Sequence, residues 1–349
     1  MLALYFDKEF IRKFELRNDL NCEVLQDFYN SFLRKIRGVE VYVNATDIDE
    51  VISFANNNEF YNHLSEIATI RVIDFVKHLH DKNFYCQGAK SKIFFLENEN
   101  ENELQTQFNQ LFISNNTLKE KWCIFQNAYD FGELIIKSKP DPNDKIYLHS
   151  WKDLEYFIHP IRNLIFFDLY ILGNKDNQKI KDNILPCLMT LLGKNNPDNV
   201  EIKIFTSNLP RTNFKLDDKT PIWLLDNIKT ALSFLNDLNK KTNRISLIKY
   251  DKTKVETPEH DRFIITNYFY IEVGSGFNIF KTNKDVNHSS SIKFNSILIN
   301  KYRKLAKQKI EVLNEYTSKL KHKDSRATGP GSIIEHYLYY PEGNHQIFK

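Results

Sequence analysis

The apolar positions of the chain fall into runs with two rhythms, and the first run is unbroken. LALYF, residues 2–6, predicts an opening strand that ends at Asp7. In CEVLQDFYNSFLRKIR, Val24, Leu25, Phe28, Phe32 and Leu33 fall at helical spacing. VEVYVN, residues 39–44, returns to strand character. Thr46 with Asp49 forms a capping-box-like TDID ahead of DEVISFANN, so a helix is expected to start there. ATIRVIDFVKHLHDKN, residues 68–83, predicts an amphipathic helix with Ile70, Ile73, Phe75 and Val76 toward a core. KIFFLE, residues 92–97, predicts a strand, and the acidic ENENENE, residues 97–103, a solvated loop. From Leu118 to Ser138 the pattern is helical or mixed.

KPDPND, residues 139–144, has two prolines and no apolar residue, which marks a linker. It divides a mixed α/β part, 1–138, from a second domain, 145–323, followed by a hinge and an aromatic tail, 324–349. SWKDLEYFIHPIR predicts a short helix stopped by Pro160, and NLIFFDLYIL, residues 163–172, a buried strand. QKIKDNILPCLMTLLG predicts a helix closed by Gly193, with a kink or late start imposed by Pro186. Strands at 200–207 and 244–251 flank a long helix with Pro221 in its first turn, and two more strands are expected at 262–267 and 269–273. The resulting β-α-β-α-β-β-β order predicts an α/β sheet with helices on both faces, mostly parallel with an antiparallel edge.

Composition agrees with a globular chain: of 349 residues, 42% are hydrophobic and 27% charged, and the net charge is only +3. So balanced a charge gives no global argument for a nucleic-acid or membrane partner, and any such partner has to be read from local patches. Cys22, Cys86, Cys123 and Cys187 lie far apart, without the close pairs that zinc sites use, and are read as reduced, buried thiols. No apolar run reaches the length of a bilayer span, which points to a cytoplasmic protein. No cofactor is implied.

The densest chemistry lies in HDRFIITNYFYIEVGSGFNIF, residues 260–280. His260 and Arg262 are two apart and share one face of an extended strand. Asn267 follows, then Gly274 and Ser275, and Asn278 closes the segment. This register resembles the phospholipase D superfamily motif, HxK(x)4D(x)6GS followed by N, with Arg262 in the Lys position and Asn267 in the Asp position. The wording is also similar to the non-catalytic phospholipase D-like domain at the C-terminus of MIT-domain proteins. In the superfamily a His attacks phosphorus and a second His protonates the leaving oxygen, so two motif copies must face each other. This chain shows one copy. Arg binds phosphate through a planar fork, so binding survives the Lys-to-Arg exchange more easily than catalysis does. The resemblance therefore implies a degenerate domain that binds phosphate through His260, Arg262, Asn267, Ser275 and Asn278, in a larger assembly such as a prokaryotic defence complex. The enzymatic alternative is a phosphodiesterase or nuclease in which His260 of two chains meet in a symmetric dimer. Without the motif, His260 and Arg262 are polar residues on a half-exposed strand.

Other residues offer further chemistry. Asp168, inside an apolar run, is either functional or bonded to backbone at a strand end. Asn208 and Arg211, after the strand that ends at Ser207, could line a cleft with His260. His288 is a distant candidate for the missing second acid. The long helix that follows carries Lys301, Arg303, Lys304, Lys307 and Lys309, then Lys319, Lys321 and Lys323, a basic face fit either to contact nucleic acid or simply to be solvated. In the first half, Asp7, Asp47 or Asp49, and Glu97 could gather a divalent metal as in PIN-like nucleases, or could merely cap helices and end strands. His78 and His80 point in different directions on the predicted helix, which disfavours a shared ion. The aromatic C-terminus either docks back on its own domain or meets a protein partner or a second copy.

Overall fold

The unbroken apolar run becomes β1, Leu2–Asp7, with every residue buried. A strand buried on both faces belongs at the centre of a parallel sheet, and β1 lies there. The structure is a computed structural model that describes residues 2–14, 23–86, 91–97, 99–122, 134–136, 148–157, 159–171, 178–192, 200–207, 244–250, 262–274, 276–287, 290–318 and 334–339. The chain is α/β and divides into two compact units, one of residues 1–130, 296–307 and 348–349, the other of residues 131–295 and 308–347.

In the first unit β1 pairs in parallel with β2, Glu40–Asn44, and with β4, Ser91–Phe95. β3, Thr69–Val72, and β5, Leu111–Ile113, complete an all-parallel sheet in the order β3-β2-β1-β4-β5. Successive side chains of β1 serve opposite faces. Phe6 stacks on Phe95 at 4.4 Å, and Phe10, Phe32 and Phe60 close round it. On the other face Tyr5 lies between Tyr42 at 4.7 Å and Phe94 at 4.6 Å, with Phe75 edge-on. The helices are α1, Lys8–Arg12; α2, Glu23–Lys35; α3, Ile48–Ala55; α4, Glu59–Ile67; α5, Lys82–Cys86; and α6, Glu101–Phe108.

Three expectations change here. Residues 68–83 are not one amphipathic helix: they hold β3, a 3₁₀ turn at Val76–His78 and the start of α5. The β-branched Thr69, Ile70 and Val72 suit a strand, and pairing with β2 settles a run that periodicity alone left ambiguous. The cap of α3 is Asp47, which accepts from Glu50 N–H at 2.9 Å, one residue later than the Thr46 cap expected; the Thr46 N–H instead donates to Glu50 Oε2 at 2.8 Å. The acidic stretch 97–103 runs into α6, where Asn100 accepts from Glu103 N–H, and buried Glu101 pairs with Lys121 at 3.4 Å.

The second unit carries an eight-stranded sheet ordered β13-β9-β8-β7-β10-β11-β12-β6. Its strands are β6, Leu134–Ile136; β7, Asn163–Phe167; β8, Glu201–Ser207; β9, Arg244–Tyr250; β10, Phe263–Ile265; β11, Phe269–Val273; β12, Ser290–Ser296; and β13, Ile334–Tyr339. β7, β8 and β9 are parallel, whereas β10 runs antiparallel to both β7 and β11, β12 to β6, and β9 to β13. The sheet is thus mixed rather than mostly parallel, because β10 and β11 are joined by a tight turn too short for a parallel crossover. In that turn Thr266 Oγ1 accepts from the N–H groups of Tyr268 and Phe269. β13 shows that part of the aromatic C-terminus docks on its own sheet.

The linker 139–144 lies outside the described residues. The division between units falls at Asp130, and β6, read from sequence as part of the first domain, pairs with β12 of the second sheet. The long helix α8, Asn300–Ser318, contributes residues to both units. Ahead of α7, Leu185–Leu192, residues Ile180–Ile184 form a π-turn in which Leu185 N–H donates to Ile180 C=O. Pro186, which has no N–H, thus yields a local widening rather than a break. Cys187 is a buried free thiol, and burial raises its pKa. Among the described residues no helix is long and apolar enough to cross a membrane.

Candidate functional site

At the carboxyl end of β7 the backbone turns away at Asp168, whose side chain is fully buried. The ladder continues one step, with Asp168 N–H donating to Phe205 C=O, so Asp168 sits beside Thr206 of β8. On the other side β10 pairs Phe263 with Phe167, which brings Arg262 level with Asp168. Arg262, Asp168 and Thr206 therefore form a row across three strands on one face of the sheet.

An isolated buried carboxylate would cost several kcal/mol or more, and Asp168 is heavily compensated. Lys179 Nζ donates to its Oδ2 at 2.6 Å and the Tyr170 N–H to its Oδ1 at 2.8 Å. Lys179 also reaches the Tyr170 carbonyl at 3.3 Å. Arg262 Nε lies 4.0 Å from Asp168 Oδ1, close enough for attraction and too far for a hydrogen bond.

Arg262 is held along its length. Its guanidinium stands over the Tyr170 ring at 5.5 Å, and Nη1 approaches the Gly274 carbonyl at 3.4 Å. Gly276, at φ +90°, passes so close that a Cβ there would lie 2.6 Å from Arg262 Cδ and 2.7 Å from Nε. A guanidinium has five N–H donors. Among the described residues that one long contact, to Gly274, is its only hydrogen bond. The Thr206 hydroxyl is likewise buried without a partner among them. The row thus offers a positioned cation to an anion, with the Thr206 hydroxyl fully buried on the far side of Asp168.

The surrounding loop is fixed by Asn183, fully buried in the π-turn. Its Oδ1 accepts from Ile279 N–H at 3.0 Å, Phe280 N–H at 2.8 Å and Trp151 Nε1 at 3.3 Å, and its Nδ2 donates to Phe280 C=O.

The structure does not gather all of the motif residues. Asn267 is buried at the opposite end of β10, where its Oδ1 accepts from the N–H groups of Arg162 at 2.7 Å and Asn163 at 2.9 Å. It is a backbone clamp and does not join Arg262, a correction to its expected place in the phosphate site. Asn278 is half-buried, and its carbonyl accepts from Asn287 Nδ2. His260, Ser275, Asn208, Arg211 and His288 lie outside the described residues, as do Lys319, Lys321, Lys323 and the predicted helix at 221–241. Lys179, Tyr170 and Gly276 were missed by the sequence reading; the signal was Asp168, since a carboxylate inside an apolar run demands a cation.

The basic helix also sorts itself. Lys301, Lys304 and Lys307 are exposed on α8. Arg303 is buried and donates to the carbonyls of Ile297 and Leu298, both at 3.0 Å, to those of Gly38 at 3.1 Å and Arg37, and to Asn300 Oδ1. It is a structural tie and not a nucleic-acid contact; desolvation lowers its pKa.

In the first unit the candidate metal ligands are engaged separately, and among the described residues no three such side chains form a group. Asp7, at the end of β1, is raised in pKa chiefly by burial, with the Glu9 backbone and the Asn44 side chain opposing. Asp47 caps α3, and Glu97 pairs with Lys13 at 3.2 Å and with Asn115. Glu50 is bound by Lys8 and Thr46, which hold its carboxyl at about 2.

No protein-family model matches the chain, and neither does any curated protein. Among solved structures, a similarity is found to the crystal structure of Kluyveromyces polysporus Argonaute with a guide RNA, at 10% identity and a TM-score of 0.19, covering 84% of this chain. The chain spans 41% of that one, and a superposition of this quality carries no argument about fold or function.

Proposed function

We propose that the second unit is a degenerate phospholipase D-like domain whose retained property is phosphate recognition. Its ligand is the phosphodiester backbone of nucleic acid, and it acts as a non-catalytic component of a larger assembly. The observation that carries this reading is Arg262: Tyr170, Gly274 and Gly276 hold its guanidinium in place, 4.0 Å from Asp168, while most of its donors stay unspent on described protein groups. Such a fork matches phosphate oxygens. Lys301, Lys304 and Lys307, exposed on the part of α8 that belongs to the first unit, are a separate, diffuse source of positive charge that acts through its summed field.

The test is binding of short single- and double-stranded DNA and RNA across a salt series. Arg262→Ala is expected to cost roughly 1.5–3 kcal/mol of binding, the worth of a hydrogen bond to a charged group. Replacing Lys301, Lys304 and Lys307 together by alanine should flatten the dependence of log affinity on log salt by roughly 2 to 3. His260→Asn should leave phosphodiesterase activity at background. Absence of binding by the wild type at low salt, or EDTA-resistant nuclease activity lost with His260→Asn, overturns the proposal.

A further inference from the structure

Two cations approach the buried carboxylate of Asp168, and they do so unequally: Lys179 Nζ is at 2.6 Å and Arg262 Nε at 4.0 Å. Lys179 is 7% exposed, Asp168 not at all, and Arg262 17%. Oδ2 is taken by Lys179 and Oδ1 by the Tyr170 N–H. Arg262 is left at the margin of the ion pair.

Without the ammonium, the nearest cation for this carboxylate among the described residues would be the guanidinium one strand away. A guanidinium and a carboxylate close into a bidentate pair when nothing competes. Arg262 would then be neutralised by its own protein and pulled inward from the position where it can meet an external anion.

We propose that Lys179 is a positioning residue: by occupying Asp168 it keeps the Arg262 guanidinium available to a bound phosphodiester. The inference rests on the anion-binding reading above. The local backbone supports it. Lys179 immediately precedes the π-turn, and Asn183 ties that turn to residues 279 and 280, so the ammonium is presented to Asp168 from a fixed base.

The test uses the full chain and a fluorescently labelled oligothymidylate at low salt, with thermal melts of every variant. Lys179→Met should weaken binding by roughly tenfold or more, the loss of one charge-assisted contact made by Arg262 and not by Lys179 itself. Lys179→Arg, which keeps a cation on Asp168, should retain most of the affinity. The discriminating variant is the double Asp168→Asn/Lys179→Met. It removes the competing carboxylate and should restore binding, whereas a merely structural pair would give losses in both. Asp168→Asn alone should bind tighter than wild type, so the idea stays testable even if Lys179→Met does not fold. Wild-type affinity in Lys179→Met, failure of the double variant to rescue, or weaker binding by Asp168→Asn overturns the role of Lys179. If Arg262→Ala weakens binding while Lys179→Met does not, only this inference falls; if Arg262→Ala binds like wild type, the reading of the site falls with it.

Discussion

Gly276→Ala places a single methyl group where it meets Arg262. At φ +90° an L-residue is strained by roughly 1–2 kcal/mol whatever surrounds it. The new Cβ would also stand 2.6 Å from Arg262 Cδ and 2.7 Å from Nε, well inside contact distance. Those atoms belong to a flexible side chain, so the overlap is relieved cheaply by rotation of Arg262 and adds little to the strain. Relief moves the guanidinium off Tyr170 and Gly274, however, and binding should fall by the roughly 1.5–3 kcal/mol expected for Arg262→Ala. The two losses separate in a double-variant cycle. Thermal denaturation should show the backbone strain both in Gly276→Ala and in Gly276→Ala/Arg262→Ala, as a decrease of roughly 2–8 °C. Anisotropy with labelled oligonucleotide should show the affinity loss once, because the methyl has no guanidinium left to displace in the double variant. A Gly276→Ala protein that is destabilised yet binds like wild type would refute the reasoning, since Arg262 would then not need the space over Gly276.

Two further outcomes are expected. Asp7 has a folded-state pKa raised by burial above the ordinary 3.8, so its contribution to stability is fully present below that value and is lost as pH rises through the folded value. Asp7→Asn should therefore be more stable than wild type in urea denaturation at neutral pH, with the gap closing on acidification; a gap that widens toward low pH rejects the assignment. Arg303→Met strips the carbonyls of Ile297, Leu298, Arg37 and Gly38 of a buried donor and should cost about 3 kcal/mol or more of stability. Because Arg303 is spent on carbonyls, the salt dependence of oligonucleotide binding should be unchanged, and a flattened slope would return it to the nucleic-acid contacts.

The sequence by itself determined the elements whose burial is complete or whose boundaries carry their own chemistry. β1 and β7 were legible because a strand buried on both faces is apolar almost throughout, and a run with no internal polar break has few alternatives. The hairpin β10–β11 was legible through its short connection, and the disturbance before α7 through Pro186. Residues 68–83 were misread because alternating β-branched residues and a helical stripe overlap over so short a run, and only a partner strand decides between them. The row of Arg262, Asp168 and Thr206 was beyond sequence, since it depends on the register of three strands whose separations along the chain are set by loops. The same holds for the distinction among the motif residues. Spacing gave Arg262 and Asn267 equal standing, and pairing put them at opposite ends of one strand. Along α8, Lys304 and Arg303 differ in sequence by one position and in role by a whole face of the helix. The carbonyls of residues 37 and 38, far away in the chain, together with the nearby ones of Ile297 and Leu298, made one a buried tie and left the other exposed.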